Sequence, residues 1–193
     1  MVSDYFALLR QPRRPWLDPD ELKQQYHQLT FELHPDRQKT DADQADFSAV
    51  TEAYRVLSNP RLRVLHLLDL EGNPTAEKSP ANIPNDLADL FMASATLVRD
   101  IDAHRQKREQ TTSALGKSLL HGETVQLKSR TDEMLKRLDG CYDVTLEHLW
   151  RVDEKWNEDS LPLTTDLREL ADRFGYLDRW VSQLREKQFQ LAT

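Results

Sequence analysis

The chain has 193 residues, of which 38% are hydrophobic and 31% charged, and its formal net charge is −7. This length suits one ordinary domain or two small ones, and the composition is compatible with modest cores and much solvated helix surface. The negative charge argues against a nucleic-acid or membrane-surface binder, because such proteins usually need a cationic footprint. A single cysteine, Cys141, excludes an intramolecular disulfide and a multi-cysteine metal site.

The chain offers no candidate for a membrane-spanning or exported segment. No apolar run approaches the length needed to span a bilayer, and residues 1–16 lack the basic-then-apolar order of a signal peptide. The single cysteine also fits a reducing compartment. We therefore expect a cytoplasmic protein with no membrane partner and no nucleic-acid partner.

The distribution of prolines and helix-forming residues predicts an all-α fold. Eight of the nine prolines lie at or before Pro84, and the ninth is Pro162. The two proline-free tracts, 85–161 and 163–193, are rich in Leu, Glu, Lys, Arg and Gln, which are all comfortable in helices. Glycine is scarce, and no stretch alternates apolar and polar residues as a strand would.

A linker is predicted where turn-forming residues crowd together. Residues 73–83 follow Gly72 and contain prolines, asparagines and a serine between two regions of helical apolar periodicity. We therefore predict a first helical domain over 1–72, a linker over 73–83 and a second helical domain over 84–193. Both domains are near the small end of the range that folds independently.

The first domain starts with a short predicted helix, DYFALL (4–9), and continues with a longer helix that has a clear start signal. Asp18 is a predicted N-cap, Pro19 suits the first turn, and Glu21 completes a capping-box pattern. The apolar residues of this helix recur at helical spacing, at Leu22, Tyr26, Leu29 and Leu33.

The tripeptide His34-Pro35-Asp36 interrupts this helical pattern. The helix before it is predicted to end at or before His34, because a residue followed by proline disfavours the α region. A second helix is predicted over about 41–57 and a third from Pro60. An antiparallel hairpin of the first two places the tripeptide at an exposed tip, where functional residues tend to lie.

Three long helices are predicted in the second domain, from about Pro84, about Glu123 and about Pro162. Each carries an apolar stripe at helical spacing, and three such stripes facing one another form a three-helix bundle. Residues 108–122 contain two glycines and are predicted to be a loop or a short extra helix.

Two stretches of the first domain together resemble the J domain of DnaJ-type co-chaperones. They are LKQQYHQLTFELHPDR (22–37) and FSAVTEAYRVLSNPRLR (47–63). The HPD tripeptide alone is a weak signal, but HPD followed by EAYRVLSNP is a specific pattern. The resemblance implies a helical hairpin that presents HPD to a DnaK-type chaperone.

The resemblance extends to the HscB family, the J-type co-chaperones of iron–sulfur cluster assembly. It is carried by PRLRVLHLLDLEG (60–72) and, more loosely, by LFMASATLVRDID (90–102) and RFGYLDRW (173–180). This implies a co-chaperone that stimulates the ATPase of a DnaK- or HscA-type chaperone. It also implies that the second domain delivers an IscU-like iron–sulfur scaffold protein to that chaperone.

The implied chaperone-binding residues surround the tripeptide. An aspartate can pair with a partner's arginine, and a histidine can donate or accept a hydrogen bond. Family members usually carry several basic residues on the preceding helix, whereas glutamines and Glu32 occupy most of those positions here. Steering by opposite charge is therefore expected to be weaker. The predicted set is His34, Pro35, Asp36 and Arg37, with Lys23 and His27 on the helix before them.

The implied client-binding patch consists of Phe91, Met92, Ala95 and Tyr176. An exposed apolar cluster often marks a binding site, but a wide core stripe would have the same sequence pattern. Both interpretations are open for Phe91 and Trp180, and exposure is favoured for Met92 and Tyr176. Ala95, Thr96 and Arg99 stand where the family tends to have a leucine and acidic residues, so a different client stays open.

No residue pattern typical of an enzyme active site is present. The six histidines show no HExxH motif and no Cys/His ligand spacing, and no glycine-rich phosphate loop occurs. Glu147 and His148 are adjacent, so they cannot share one helix face. We therefore expect no catalytic residue, no metal site and no cofactor.

Two other functions stay open at this point. The chain could be a J-domain co-chaperone for another client, or an interaction adaptor whose J hairpin is degenerate. Retention of His34, Pro35 and Asp36 favours an active J domain, while the few basic residues before them keep the adaptor open.

Overall fold

The computed structural model describes residues 3–33, 41–72, 83–156 and 163–192, with the backbone alone for 41–45. Helices make up 86% of these residues, which contain no strand. The predicted all-α class is confirmed. The helices are α1 (Tyr5–Leu8), α2 (Pro19–Glu32), α3 (Asp41–Ser58), α4 (Pro60–Leu70), α5 (Asn85–Gln110), α6 (Ala114–Glu154) and α7 (Leu163–Ala192).

The chain forms two compact units that are not continuous in sequence. The first contains α1 to α4, the end of α6 from Thr145 and the start of α7 up to Phe174. The second contains α5, α6 up to Val144 and α7 from Gly175. Residues 73–82 of the predicted linker lie outside the described residues, so the predicted domain boundaries stay a prediction.

In the first unit, α3 is the central helix and contacts α1, α2 and α4. The predicted pairing of α2 with α3 is observed, and the rings of Tyr26 and Tyr54 stack with their centroids 4.1 Å apart. Apolar side chains from all four helices are fully or almost fully buried; they include Phe6, Leu22, Leu29, Val50, Ala53, Leu57, Val64, Leu67 and Leu68.

The predicted start signal of α2 is observed. The Asp18 carboxylate accepts hydrogen bonds from the backbone N–H groups of Asp20 and Glu21, at 2.9 and 3.0 Å. These bonds satisfy amides that have no partner inside the helix. Asn59 caps α4 in the same way, with Pro60 in its first turn. At the other end of α4, Gly72 takes the left-handed conformation that often follows a helix.

The second unit has one hydrophobic core to which α5, α6 and α7 all contribute, as predicted for a three-helix bundle. Ion pairs also join the helices: Asp100 on α5 pairs with Arg130 on α6 at 2.8 Å, and Asp102 pairs with Lys187 on α7 at 2.6 Å. The core side chains are Leu87, Leu90, Leu97, Val98, Ile101, Leu127, Met134, Leu138, Leu177, Trp180, Leu184 and Leu191.

The prediction for residues 108–122 is wrong, because α6 starts at Ala114 and not near residue 123. A serine cap explains the early start: the Ser113 hydroxyl oxygen accepts a hydrogen bond from the Gly116 N–H at 3.1 Å. A Cβ atom at Gly116 would lie 2.6 Å from Thr111 Cγ2, so glycine permits this close turn. The two glycines therefore lie inside the helix, where tertiary context overrides their low helix propensity.

The non-helical segment between α1 and α2 is held by side chains of the first unit. The buried Arg63 donates to the Pro15 carbonyl at 2.7 Å and to the Leu57 carbonyl at 2.6 Å. The Asp153 carboxylate accepts from the Trp16 N–H at 3.0 Å and forms two hydrogen bonds with Arg14. Backbone groups that lack helical partners are thereby satisfied.

We expect Asp153→Ala to lower the free energy of unfolding by about 2–3 kcal/mol, because the charge-assisted bonds to Arg14 and Trp16 are lost. Arg14 is half exposed, so water can solvate its freed charge. Urea unfolding followed by circular dichroism measures the change. Asp139→Ala, on the exposed side of α6, is the matched control, with an expected change within about 0.5 kcal/mol. Equal effects of the two variants would contradict the prediction.

His66 is buried in α4 and is kept neutral by its surroundings. Its ring stacks on Tyr5 and Phe6, with centroids 4.5 and 5.7 Å away, and its Nε2 accepts the Tyr5 N–H at 3.1 Å. Burial lowers the pKa of His66 below its ordinary value, with a smaller contribution in the same direction from Arg13; Asp4 and Asp69 act in the opposite direction. Neutral His66 therefore stabilises the fold above about pH 6.5.

We expect the free energy of unfolding to decrease as the pH falls below about 6.5, by up to about 1.4 kcal/mol per pH unit from this group. The unfolded chain then binds a proton that the folded chain disfavours. Urea unfolding between about pH 7.5 and 5.5 compares the wild type with His66→Gln, which should lose this part of the slope. His148→Gln, at an exposed position, should keep it. Parallel slopes for the wild type and His66→Gln would refute this role.

Candidate functional site

The residues predicted to contact a chaperone are only partly within the described chain. His34, Pro35, Asp36 and Arg37 lie outside the described residues, in the sequence between α2 and α3. Lys23 and His27 are described: both are exposed, one turn apart on α2. The helix ends at Glu32, as the proline at position 35 predicts.

The carboxylate at the end of α2 is engaged by neighbouring side chains. Glu32 pairs with Arg10 at 3.2 Å and accepts a hydrogen bond from Gln28 at 3.1 Å. Arg10 reaches Glu32 from the end of α1, where its backbone adopts a left-handed conformation with φ of 53°. Glu32 lies nine residues after Lys23, on the opposite side of the helix, so the exposed Lys23 and His27 point away from this engaged carboxylate.

The predicted client-binding patch is a set of side chains at different depths over one tryptophan. Met92 is 59% exposed, whereas Phe91, Ala95 and Tyr176 are half-buried. Trp180 is only 5% exposed and belongs to the core. Its ring lies 5.7 Å from the Phe91 ring and 5.9 Å from the Tyr176 ring, centroid to centroid.

These positions separate the two interpretations of the apolar residues. Trp180 is a core residue, and Phe91 and Tyr176 pack against the core while keeping part of their surface in solvent. Met92 projects beyond them. These four residues are hereafter called the Met92 patch (Phe91, Met92, Ala95, Tyr176), and the rings of Phe91 and Tyr176 pack on the buried Trp180.

The polar residues beside the Met92 patch are bonded among themselves. Thr96 donates its hydroxyl hydrogen to the Met92 carbonyl at 2.9 Å, and Arg99 donates to the Thr96 hydroxyl oxygen at 3.2 Å. This places an exposed guanidinium two helical turns from Met92. The edge of the patch along α5 is thus cationic.

A groove between α5 and α6 adjoins the patch, and sequence reasoning missed it. Its volume is about 440 Å³. The available signal was the spacing of Arg130, Glu133 and Arg137, which places them on one side of α6. The lining residues are Met92, Ala93, Thr96, Leu97, Arg130, Glu133, Met134 and Arg137.

Two absences within the described ranges bear on other functions. Among the described side chains, no three His, Cys, Asp or Glu residues lie close enough to hold a metal ion together. No helix within the described part of the chain is long and apolar enough to cross a membrane.

Comparison with known proteins accounts for both units of the chain. The DnaJ domain family matches residues 4–66. The co-chaperone protein HscB of Proteus mirabilis is 31% identical over 158 residues, which are 77% of this chain and 87% of that protein. This chain belongs to the HscB family of co-chaperones. The HscB homolog of Chromobacterium violaceum is 30% identical over 139 residues, covering 69% of this chain and 77% of that protein.

The fold agrees with this family membership. The solved structure of the chaperone HscB from Vibrio cholerae matches with a TM-score of 0.57 at 15% sequence identity, covering 98% of this chain and 99% of that chain. The predicted resemblance to HscB-like J-domain proteins is thereby confirmed. This HscB-family protein is a co-chaperone, and that role is not enzymatic.

We expect Met92→Glu to change the free energy of unfolding by less than about 0.5 kcal/mol, because Met92 lies at the surface. Trp180→Ala should lower it by about 3–5 kcal/mol, because the ring fills the core beneath Phe91 and Tyr176. Urea unfolding measures both variants. A large loss in Met92→Glu would mean that Met92 is a core residue.

Proposed function

We propose that this HscB-family protein stimulates ATP hydrolysis by a DnaK- or HscA-type chaperone and delivers an IscU-like iron–sulfur scaffold protein to it. The observation that carries the proposal is that one HscB relative aligns along most of both chains. The alignment is too long to arise from the J domain alone, which spans residues 4–66.

The chaperone half of the proposal rests on the residues between α2 and α3. His34 and Asp36 would contact the nucleotide-binding part of the chaperone, with Arg37, Lys23 and His27 adding favourable charge. Docking would favour the chaperone conformation that hydrolyses ATP, because a ligand shifts an equilibrium toward the state that it binds more tightly. All bond-breaking chemistry would belong to the chaperone.

The client half rests on the Met92 patch. Met92 is exposed, and the half-buried aromatic rings beside it are fixed by Trp180, so little side-chain entropy is lost when a partner covers them. Burial of such apolar surface contributes about 25 cal/mol per Å² removed from water. The patch would hold the scaffold while the J hairpin engages the chaperone.

A second candidate, a J-domain co-chaperone for a different client, is favoured by one observation. The exposed Arg99 bonds to Thr96 beside Met92, at positions where the family tends to have acidic residues. A client with carboxylates facing Arg99 would suit this edge, because opposite charges favour encounter and fix register.

We expect the steady-state ATPase rate of the organism's DnaK-type chaperones to rise with this protein and to rise further when the iron–sulfur scaffold is added. His34→Gln and Asp36→Asn should reduce the stimulation by about tenfold or more at unchanged helicity, since one lost charge-assisted contact is worth that much. His148→Gln, an exposed histidine on α6, is the matched control.

Each outcome of that experiment decides one half of the proposal. Full stimulation by His34→Gln and Asp36→Asn would refute the chaperone contact. Stimulation that ignores the scaffold would keep the J-domain role and favour another client. If the scaffold effect is real, Met92→Glu should abolish it and leave the scaffold-free stimulation intact.

A further inference from the structure

Positive charge is concentrated where α5 ends and α6 begins. Residues 105–130 contain six Lys and Arg residues against two acidic residues, a local net charge of +4 in a chain of −7. Neither the J hairpin nor the Met92 patch uses this region.

A groove of about 540 Å³ lies within this basic region. Its side chains come from the end of α5, the first part of α6 and the end of α7, and none of them is acidic. Most of them follow α6 at helical spacing, so the groove runs along one face of that helix. The lining residues are Arg108, Lys117, Leu120, His121, Thr124, Val125, Lys128, Leu191 and Ala192.

Two of the acidic side chains of α6 within five residues of Lys128 are already engaged. Asp132 accepts a hydrogen bond from Gln188 at 2.5 Å. Glu123 lies 3.1 Å from Nδ1 of the buried His104 and 3.9 Å from the Lys107 ammonium. Thr124, in the groove wall, is fixed by the Nε2 atom of the same histidine at 2.8 Å and by its own bond to the Leu120 carbonyl. The side chains of Lys117 and Lys128 form no ion pair with any described residue.

Helix-dipole compensation accounts for only part of this charge. Arg108 lies in the last turn of α5, where a cation is favourable. Lys117 and Lys128 are in the first half of α6, far from its C-terminal end, so they do not compensate the dipole of their own helix. An external anion is the better explanation for them.

The spacing of the lysines decides what kind of anion fits. Lys117 and Lys128 are 11 residues apart on one helix, about 16 Å along its axis, so one carboxylate or phosphate group cannot reach both. The floor between them is apolar: Leu120 is almost buried, and Val125 is 55% exposed.

We propose that this groove binds an acidic amphipathic helix of a protein partner. Two carboxylates of the partner would pair with Lys117 and Lys128, and apolar side chains between them would cover Leu120 and Val125. An amphipathic helix lying in a groove is a common mode of peptide recognition. The site is separate from the Met92 patch and does not depend on the proposed function.

The test uses the full chain and a synthetic helical peptide. Its two glutamates are separated by the same 11 residues as the lysines, with leucines on the face between them. Binding is followed by isothermal titration and by amide chemical shifts. We expect the peptide to bind about tenfold or more tighter than a scrambled peptide of the same composition, and more weakly at high salt.

The matched variants are Lys117→Glu/Lys128→Glu and Lys136→Glu, the latter an exposed lysine on the same helix. The double variant should bind the designed peptide about tenfold or more weakly than the wild type does, and the Lys136→Glu variant should bind it as tightly as the wild type. Circular dichroism and thermal unfolding check that all variants fold alike. Equal binding of the designed and scrambled peptides, or equal affinity of all variants, would overturn the proposal.

A further experiment tests whether an anionic lipid surface, rather than a protein helix, binds in the groove. Vesicles of anionic lipid that bind the wild type but not the double variant, without binding of the peptide, would assign the groove to a membrane surface and overturn the proposal.

Titration with the DnaK-type chaperone and with the scaffold tests whether either protein supplies the helix. If the Lys117→Glu/Lys128→Glu variant binds the chaperone or the scaffold more weakly than the wild type does, and the Lys136→Glu variant does not, that protein is the partner.

Discussion

One buried guanidinium, that of Arg63, links the two helices that flank the HPD tripeptide. It donates to the Leu57 carbonyl at the end of α3 and to the Pro15 carbonyl just before α2 begins. The segment before α2 is also held by Asp153 at the Trp16 amide and by the Trp156 indole at the Arg13 carbonyl, 3.2 Å away. A charged side chain that is 4% exposed is costly unless its donors are satisfied, so these carbonyls and the guanidinium require one another.

In the second unit, the residue that supports the Met92 patch differs from the residue that is most exposed to a partner. Trp180 lies within the core and touches Phe91 and Tyr176, which reach the surface only in part, while Met92 is free to meet a partner. Side chains that are already immobilised lose less entropy on binding than mobile ones. Trp180 thus supports surface residues of both α5 and α7. It holds them in place because it is itself packed in the core.

Local signals predicted most of the helix boundaries, and long-range packing determined the rest. Asp18, Pro19, Asn59 and Pro60 act within one turn of the chain, so their effect can be predicted from the sequence. The start of α6 could not be predicted, because two glycines outweighed the Ser113 cap in a purely local interpretation. The bonds of Asp153 to residues 137 and 139 positions away have no local signature. Likewise, the sequence favoured exposure for Met92 but left Trp180 open, and only packing shows that Trp180 is buried.

Net charge is a poor guide to recognition in this chain, because partners respond to charges within about 8–10 Å at physiological salt. The overall charge of −7 averages over regions of opposite sign. On α2, Arg10 and Gln28 engage Glu32, while Lys23, on the opposite side of the helix, is exposed. At the start of α6, His104 and Lys107 engage Glu123 and Gln188 engages Asp132, so Lys117 and Lys128 line a groove beside carboxylates that are already occupied. In both places, a neighbouring helix or loop engages the acidic side chain and leaves the cations available to a partner.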